Sequence, residues 1–402
     1  MKIRSVSYSG GGTLMTDTIP DLSLTRTCPF DPPDGAAELR ERGPVARVRL
    51  FDGTTPWLVT GHAEARALLA DPHVSSDRGR PNFPMPIPIP PQSRPTGLTA
   101  TLVSNDPPVH TRLRRMLISS FTVRKITALK PKIERIVTER LDAMIAAGPP
   151  ADLMAAFALP VPSMVICELL GVPYEDHTFF EEQSRRRLDA DGTAIHNLFT
   201  YLHELVQKKI DDPGDGLLDD LIAEQLAEGK LDHVELATMG MVMLIAGHDT
   251  TANMISLGTM LLLSNPEQLA KIRDDEAAMP AAVEELLRYL TIAGALGRVA
   301  TEDIELGGVT IKAGEGVLVA SAVADREHSD ELDVANPMRQ HLAFGFGIHQ
   351  CLGQNLARAE LEIAFTHLFR RLPTLRLTVP VEDVPRRANA VLSGVTEVPV
   401  TW

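Results

Sequence analysis

At residues 344–353 the sequence reads FGFGIHQCLG, with Gly345, Gly347 and Gly353 placed around Cys351. The glycines let the backbone turn tightly and approach a flat ligand closely. Apolar residues recur at helical spacing from 352 to 372, so the thiol precedes a helix N-terminus. Free N–H groups and the helix dipole stabilise a thiolate there. A thiolate is a strong ligand for iron or zinc.

Two other interpretations of Cys351 are open at this level. A lone cysteine is more often a buried structural residue. A zinc site would need further ligands, and although His341 and His349 are close in sequence, no Cys-x-x-Cys pair accompanies them. The three glycines, the phenylalanine and the histidine at these spacings favour a bound ligand.

The composition indicates a globular protein with little attraction for polyanions. Of the 402 residues, 44% are hydrophobic and 23% are charged, and the formal net charge is −14. Nucleic acid and anionic membrane both attract basic surfaces, so neither is expected as the main partner. The three cysteines form no pattern, no apolar run approaches the ~20 residues that span a bilayer, and the N-terminus lacks a signal-peptide pattern. We therefore expect a cytoplasmic protein.

The chain is predicted to form one mainly α domain over residues 21–402, with small β-sheets at its edges, after a disordered leader at 1–20. Residues 46–50 and 57–59 predict a hairpin in a β-rich portion at about 44–60, and a helix follows from His62 to Leu69. Seven prolines between 77 and 105 predict either a spacer or a long loop over a binding site. Further helices are predicted at about 111–120, 123–147, 154–171, 175–189, 194–211, 216–228, 233–263, 266–274, 280–290 and 354–371, and short strands near 297–311, at 316–320 and within 375–400.

Small and polar residues interrupt the apolar helix predicted at 233–263, where residues 246–251 read AGHDTT. Gly, Asp and Thr each cost about 0.5–1 kcal/mol relative to Ala in a helix, so their presence needs a reason. One reason is that the hydroxyls bond back to helix carbonyls. Another is chemical, because an acid beside an alcohol, here Asp249 and Thr250, is the pair that proton delivery requires.

Two more pairs combine charged residues on one helix face. Glu285 and Arg288 are three residues apart, which by itself predicts an exposed salt bridge worth less than about 1 kcal/mol. His110 and Arg114 are four residues apart, and each alone would more often be a surface residue.

These motifs, in this order, resemble the cytochrome P450 family. Its haem-binding signature runs Phe-x-x-Gly-x-x-x-Cys-x-Gly, and Phe344, Gly347, Cys351 and Gly353 fill it. The resemblance covers nearly the whole chain from Cys28 onward and is closest to soluble bacterial members, particularly actinobacterial hydroxylases. It implies the cytochrome P450 fold, with a helical core at about 106–290 and the haem-binding loop at 344–353.

The resemblance also implies roles for single residues. The cofactor would be heme b, with Cys351 as the ligand of the iron. Thr250 would hydrogen-bond dioxygen and Asp249 would help to relay protons, while Glu285 and Arg288 would form a buried structural ion pair. The remaining cofactor contacts would be Phe344, Gly353 and Ala246 beside the haem, and His110, Arg114, Arg298 and His349 at its propionates.

The chain departs from the family pattern just before the signature. An acid-x-x-Arg element usually supplies an arginine that joins the Glu-x-x-Arg pair, but here Asn336 occupies that place. The preceding stretch, 325–331, is also shorter than usual. The departure bears on loop packing and haem retention, and Arg339 is a candidate substitute.

The implied reaction is monooxygenation, in which RH, O2, two electrons and two protons give ROH and water. The sequence contains no Gly-x-Gly-x-x-Gly nucleotide motif, so electrons are expected from a separate ferredoxin. A local basic patch would receive it. The patch comprises Arg112, Arg115, Arg124 and Lys125, and the enzyme is expected to be a monomer.

The substrate pocket is predicted to be roomy and apolar. Such a pocket suits a bulky polyketide, terpenoid, steroid-like or drug-like molecule that is hydroxylated or epoxidised. Its predicted lining is Phe83, Met85, Ile87, Val242, Ile245, Ala246, Ile292, Ala293, Gly294, Leu296 and Leu392.

Three alternatives are weighed against this interpretation. A peroxygenase would not need the acid–alcohol pair, which is present at Asp249 and Thr250. A non-catalytic haem-thiolate sensor or scaffold would tolerate its loss. A zinc or iron–sulfur protein built on Cys351 would leave His110 and Arg114 unexplained.

Overall fold

The computed structural model describes residues 18–23, 25–88, 102–186, 193–273, 275–387 and 392–402. Most of the leader expected at 1–20 therefore lies outside the described residues. The same holds for residues 89–101 of the Pro-rich stretch.

The helix that organises the fold is α9, which spans His233–Ser264. It begins with a capping box, in which the Asp232 carboxylate accepts from the Glu235 N–H and the Glu235 carboxylate accepts from the Asp232 N–H. Because α9 is apolar on almost every side, it is buried among other helices. It packs against α5 (Pro160–Leu170), α7 (Thr193–Asp211) and α13 (Gln354–Arg371).

The remaining helices surround this centre. Thr122 caps the longest of them, α4, by accepting a hydrogen bond from the Lys125 N–H. They are α1 (Ala36–Glu41), α2 (His62–Ala70), α3 (Val109–Ile118), α4 (Val123–Ala147), α6 (His177–Arg185), α8 (Leu217–Leu221), α10 (Pro266–Arg273), α11 (Met279–Leu290) and α12 (Ser321–Ala324).

Short strands lie at the edges of the helical core. The hairpin predicted near the N-terminus is present, as β1 (Val45–Arg47) and β2 (Trp57–Val59). The hairpin belongs to a five-stranded sheet, in which β2 is followed in order by β8 (Gly316–Val319), β5 (Leu296–Ala300) and β3 (Val74–Ser75). The others are β4 (Ala151–Asp152), β6 (Ile304–Leu306), β7 (Val309–Ile311), β9 (Arg376–Leu377) and β10 (Pro399–Thr401).

The predicted helices at 154–171 and 216–228 are each interrupted. In both places one turn is a π-helix, at Met154–Ala158 before α5 and at Ile222–Leu226 after α8. Pro160 explains the first break, because a proline lacks the N–H that would continue the preceding helical pattern. The helix predicted at 175–189 ends at Arg185.

The mainly α architecture with small sheets agrees with the sequence prediction. One large apolar cluster joins the helices and reaches the C-terminal strand, and smaller clusters lie under the β1–β2 sheet. Within the described residues, no helix is both long and apolar enough to cross a membrane.

Candidate active site

The loop around Cys351 has a shape that depends on glycine. The Cys351 N–H donates to the Phe344 carbonyl at 2.8 Å, which closes the loop on itself. Gly347 has a φ of 74°, and a Cβ atom there would lie 2.1 Å from the Leu69 carbonyl oxygen of α2. The loop can therefore press against α2 only with glycine at this position.

The Cys351 thiol lies next to the N-terminus of α13 and is accessible to solvent. Burial by the surrounding protein raises the pKa of the thiol, whereas the Gly353 N–H and the charges of Arg114 and Arg358 act in the opposite direction. Arg114 Nη2 also donates to the Gln350 carbonyl at 2.7 Å. An accessible sulfur beside cations and a helix N-terminus is suited to bind a metal as a thiolate.

Two histidines meet beside this loop. The rings of His110 and His349 lie 4.2 Å apart, and both ring nitrogens of His110 are buried without a hydrogen-bond partner. Burial, and then the charge of Arg114, lowers the pKa of His110. Burial and the charge of Arg298 lower the pKa of His349 to about 3. Because a buried polar atom without a partner is costly, the His110 ring is placed to bond to a bound group.

Two arginines add positive charge at the same place. Burial lowers the pKa of Arg298 to about 10, while the charge of Asp106 opposes this effect and that of Arg78 adds to it. Burial also lowers the pKa of Arg78. Asp106 itself accepts hydrogen bonds from Ser75 and Ser76.

These cationic and donor groups fit a ligand that carries two carboxylates. Ion pairs with those carboxylates would offset the free-energy cost of removing the charges from water. A haem has two propionates, and an iron above Cys351 would complete the match. The family resemblance predicts propionate contacts from His110, Arg114, Arg298 and His349. Arg78 was not among the predicted residues.

The middle of α9 combines an exposed alanine with polar neighbours. Ala246 is exposed and Thr250 is half-buried, although residues around them on α9 are mostly buried. The Thr250 hydroxyl donates to the Ala246 carbonyl at 3.0 Å, and Thr251 donates to Gly247 at 3.2 Å. The bonds back to helix carbonyls that the sequence suggested are thus present. They leave the Thr250 oxygen able to accept a further hydrogen bond.

Asp249 is held by an arginine that the sequence analysis missed. Arg387 donates to both carboxylate oxygens, with Nη1–Oδ2 at 2.8 Å and Nη2–Oδ1 at 2.7 Å. Asn253 Nδ2 lies 3.3 Å from Oδ1 and donates to the Asp249 carbonyl at 2.7 Å. The pair joins residues 138 positions apart, and no sequence spacing could have indicated it.

Comparison with known proteins assigns the family. A family model described as Cytochrome P450 matches residues 167–396. The chain belongs to the cytochrome P450 family. Pentalenic acid synthase of Streptomyces avermitilis is 54% identical over 94% of this chain and 96% of its own length. Vitamin D3 dihydroxylase of Streptomyces griseolus is 50% identical over 97% of this chain and 98% of its own length.

A solved structure gives the same result for the fold. Mycinamicin VIII C21 methyl hydroxylase MycCI from Micromonospora griseorubida, bound to mycinamicin VIII, matches with a TM-score of 0.87 at 41% identity, over 94% of this chain and 98% of that one. The predicted family, fold and enzyme class are confirmed. The chain is a cytochrome P450 monooxygenase, and the family implies a haem-thiolate iron cofactor.

In this P450, Glu285 and Arg288 form a buried ion pair, with side chains only 3% and 2% exposed. Arg288 Nε and Nη2 each donate to a carboxylate oxygen at 2.8 Å. The remaining three guanidinium hydrogens go to backbone carbonyls, at Asp325, Ser329 and Glu331. Every donor of Arg288 is therefore used.

The arginine expected from the family pattern is replaced by backbone in this P450. Asn336 is exposed and donates to Asp333 at 2.8 Å, and the Asp333 N–H donates to Glu285 at 3.0 Å. Arg339, the candidate substitute, is exposed. The hydrogen bonds to Glu285 come from Arg288 and from the Asp333 backbone.

A second acid on α11 supports the cysteine loop and was also missed. Glu284 lies 2.5 Å from Arg358 Nε and 3.3 Å from His341 Nε2. The Arg358 guanidinium lies 4.6 Å from the centre of the Phe344 ring. Although burial alone would raise it, the interactions with His341 and Arg358 hold the pKa of Glu284 down at about 2. Arg358 and Glu284 are 74 positions apart, so no sequence spacing indicates this pair.

The predicted substrate-pocket residues belong to several elements. Phe83 packs against Gly297 of β5, where a Cβ would lie 2.8 Å from its ring. Ala293 forms a bridge with Leu392, and the Ser393 N–H donates to the Ile292 carbonyl at 3.0 Å. Val242, Ile245 and Ala246 lie on α9. Met85 and Ile87 come shortly before residues 89–101, which lie outside the described residues, and Gly294 and Leu296 are close to Ala293 in the chain.

The predicted basic patch is exposed on α3 and at the start of α4. Arg112 is partly engaged, because it pairs with Glu235 and donates to the Lys230 carbonyl at 2.9 Å. Arg115, Arg124 and Lys125 are exposed. Apolar side chains are also exposed nearby, namely Val109, Ile118, Val123 and, in the cysteine loop, Ile348.

Proposed function

We propose that this P450 hydroxylates or epoxidises a bulky apolar small molecule, with O2 as oxidant and electrons from a ferredoxin and its reductase. The observation that carries the proposal is the arrangement at the cysteine loop. An accessible thiol lies beside His110, whose buried ring nitrogens lack partners, and beside the cations Arg114 and Arg298. These groups match what a haem with two propionates needs.

The proposed cofactor is heme b, ligated by Cys351. When bound, it activates dioxygen and supplies the oxygen atom that enters a C–H or C=C bond, with the thiolate favouring O–O cleavage. His110, Arg114, Arg298 and His349 would hold its propionates. Phe344, Gly353 and Ala246 would lie beside its ring.

Thr250 and Asp249 would deliver the two protons that the reaction consumes. The Thr250 hydroxyl donates to Ala246, so its oxygen can accept a hydrogen bond from the proton source. Asp249 is the acid that would move protons toward it. The two residues are neighbours on α9, and Ala246 provides the adjacent open surface.

The proposed substrate class rests on the lining residues and on the names of relatives. Phe83, Met85, Ile245, Ala293 and Leu392 are apolar and only half-buried in the structure. The relatives act, by their names, in pentalenic acid synthesis, on vitamin D3 and on mycinamicin VIII. We therefore propose a polyketide, terpenoid, steroid-like or drug-like substrate.

The proposed electron donor is an acidic ferredoxin that docks beside the cysteine loop. Arg112 and Arg115 line a surface cavity of about 790 Å³ with Lys230, and exposed apolar residues lie beside the patch. Such a mixture of positive charge and apolar surface suits transient association with an acidic partner. Charge reversal at Arg115 and Arg124 is expected to slow reduction by a ferredoxin, and unchanged rates at low ionic strength would contradict the assignment.

A carbon monoxide spectrum tests the haem assignment. The purified protein is reduced and exposed to the gas, and a strongly red-shifted Soret band is expected from thiolate-ligated haem. Cys351→His is the control that keeps a ligand but removes the thiolate, so the shift should disappear. A wild-type protein that lacks a haem band would refute the proposal.

Two further measurements address the protons and the substrate. Thr250→Ala should keep the carbon monoxide spectrum while more reducing equivalents end in hydrogen peroxide, and unchanged product coupling would show that Thr250 is not in the relay. Apolar compounds can be screened for the spin-state shift that follows displacement of water from the iron. Small charged compounds, which the proposed pocket should not hold, serve as the comparison set.

A further inference from the structure

The carboxylate of Asp249 is fixed from outside its own helix. Arg387 donates to both of its oxygens, and the Asp249 side chain is 5% exposed while that of Arg387 is 24% exposed. A bidentate guanidinium fixes both the position and the plane of a carboxylate. The pair therefore extends from a buried position on α9 toward the protein surface.

The segment that carries Arg387 is itself anchored to α9. The Arg387 N–H donates to the Gly394 carbonyl at 3.1 Å, and Arg386 forms a bridge with Val395. The Val395 N–H in turn donates to Asn253 Oδ1 at 3.3 Å. The backbone around Arg387 thus has little freedom relative to the turn of α9 that bears Asp249.

Close packing strengthens this anchorage. A Cβ at Gly394 would lie 2.0 Å from Asn253 Oδ1, so the segment touches the helix directly. Asn253 is completely buried and also donates to the Asp249 carbonyl at 2.7 Å. One residue of α9 therefore contacts both Asp249 and the segment that holds its ionic partner.

We infer that Arg387 is a positioning residue for proton delivery, which holds the Asp249 carboxylate in the orientation from which it serves Thr250. The inference rests on the proposed role of Asp249. Without Arg387 the carboxylate would lose both charge-assisted hydrogen bonds in a buried setting. It would turn toward other donors, and the orientation that Arg387 imposes on it would be lost.

The chain offers a matched control one residue away. Arg386 points its guanidinium elsewhere and donates to the carbonyls of Arg26 and Thr27, at 2.9 and 3.0 Å. Arg386→Gln removes the same charge from the same segment. Arg387→Lys retains the charge but not the bidentate geometry, so it should rescue only part of the function.

The decisive experiment is a double-mutant cycle on the haem-loaded enzyme. The variants are Arg387→Gln, Asp249→Asn and the double variant, each assayed with a ferredoxin, its reductase and vitamin D3 as probe. NADPH consumption and peroxide release are measured, and coupled turnover is the NADPH consumption that does not end in peroxide. Neither readout requires the product to be identified. Arg387→Gln is expected to slow coupled turnover by at least about tenfold, with the KM for the probe nearly unchanged. In the Asp249→Asn background it should change the rate by less than about twofold, because residues that act through one another are not additive. The pH profile of turnover should change in Arg387→Gln and remain that of the wild type in Arg386→Gln.

Urea unfolding provides a readout that is independent of turnover. Arg387→Gln should lower the unfolding midpoint because it takes the bidentate cation away from a buried carboxylate, and the double variant, with two amides, should recover part of the loss. If Asp249→Asn is impaired but Arg387→Gln turns over like wild type, Arg387 is not a positioning residue and the proposed function stands. The same conclusion follows if the rate losses of Arg387→Gln and Asp249→Asn are additive in the double variant. If Asp249→Asn itself is unimpaired, the proposed relay fails, and the inference fails with it.

Discussion

Replacement of Arg288 by methionine is expected to destabilise the P450 severely, because the buried guanidinium makes five hydrogen bonds at once, three of them fully buried. Two go to Glu285 and three to the carbonyls of Asp325, Ser329 and Glu331. Methionine fills most of the volume but bonds to none of these acceptors. The buried carboxylate of Glu285 would then keep only the Asp333 N–H among its bonds.

The expected loss is large relative to the stability of a folded chain. Removing one partner of a buried ion pair costs about 3–5 kcal/mol, and leaving the carbonyl of the buried Asp325 without a partner adds about 1–3 kcal/mol. Native proteins are stable by only about 5–15 kcal/mol in total. Arg288→Met should therefore yield little folded holoenzyme, and any that folds should unfold at a much lower urea concentration.

Urea titrations followed by far-UV circular dichroism and by the Soret band would measure this. Lys271→Met is the matched control, because Lys271 pairs with Asp333 at 3.0 Å in the same neighbourhood but both side chains are about 40% exposed. A surface pair is worth about 0–1 kcal/mol, so the control should unfold close to wild type. If Arg288→Met unfolded at the same urea concentration as the control, Arg288 would not be the residue that stabilises the segment from Asp325 to Glu331.

Three other outcomes are expected. Gly347→Ala should prevent normal haem incorporation, because its Cβ would lie 2.1 Å from the Leu69 carbonyl oxygen. The control Gly314→Ala should incorporate haem normally, because Gly314 has a similar φ but open space around it. Equal haem-to-protein ratios in the two variants would contradict this prediction. His110→Ala should speed haem transfer to apomyoglobin by about tenfold or more, since a hydrogen bond to a charged group is worth about 1.5–3 kcal/mol. The control is His73→Ala, at an exposed site. Equal transfer rates for the two variants would argue against a contact between His110 and a propionate. Glu284 should stabilise the fold fully above pH 4.5, the ordinary value of its carboxyl, and progressively less as the pH falls toward its folded pKa of about 2. In Glu284→Gln this pH-dependent stabilisation, about 3 kcal/mol in the free energy of unfolding, should be absent from the acid unfolding curve. A curve parallel to that of the wild type between pH 4.5 and about 2 would show that Glu284 does not pair with His341 and Arg358.

The parts of the site that the sequence predicted are those with local signatures. Cys351, with its glycines and its following helix, and Asp249 and Thr250 within an apolar helix are each recognisable within a dozen residues. The N-terminal hairpin was also predicted from alternation and a turn. Its sheet partners were not, because β8 and β5 come more than two hundred residues later and strand spacing carries no information on such pairing.

The residues that the sequence did not predict act through partners distant in the chain. Arg387 reaches Asp249 across 138 positions, and Arg358 reaches Glu284 across 74. An arginine in a polar segment looks the same whether it lies in solvent or binds a buried acid. Only the packing of the C-terminal segment on α9, and of α13 on α11, distinguishes the two cases.

Asn336 shows how a departure from a family pattern can be compensated by backbone. A second arginine there would be needed only if the acid or the arginine of the Glu285–Arg288 pair had unmet bonding capacity. Arg288 has none, because the segment from Asp325 to Glu331 turns three carbonyls onto it. Glu285 receives its additional hydrogen bond from the Asp333 N–H, and Asn336 holds the Asp333 side chain at 2.8 Å. The short segment before the cysteine loop thus satisfies the pair by its own main chain, and the position of Asn336 needs a side chain that fixes this turn rather than one that carries a charge.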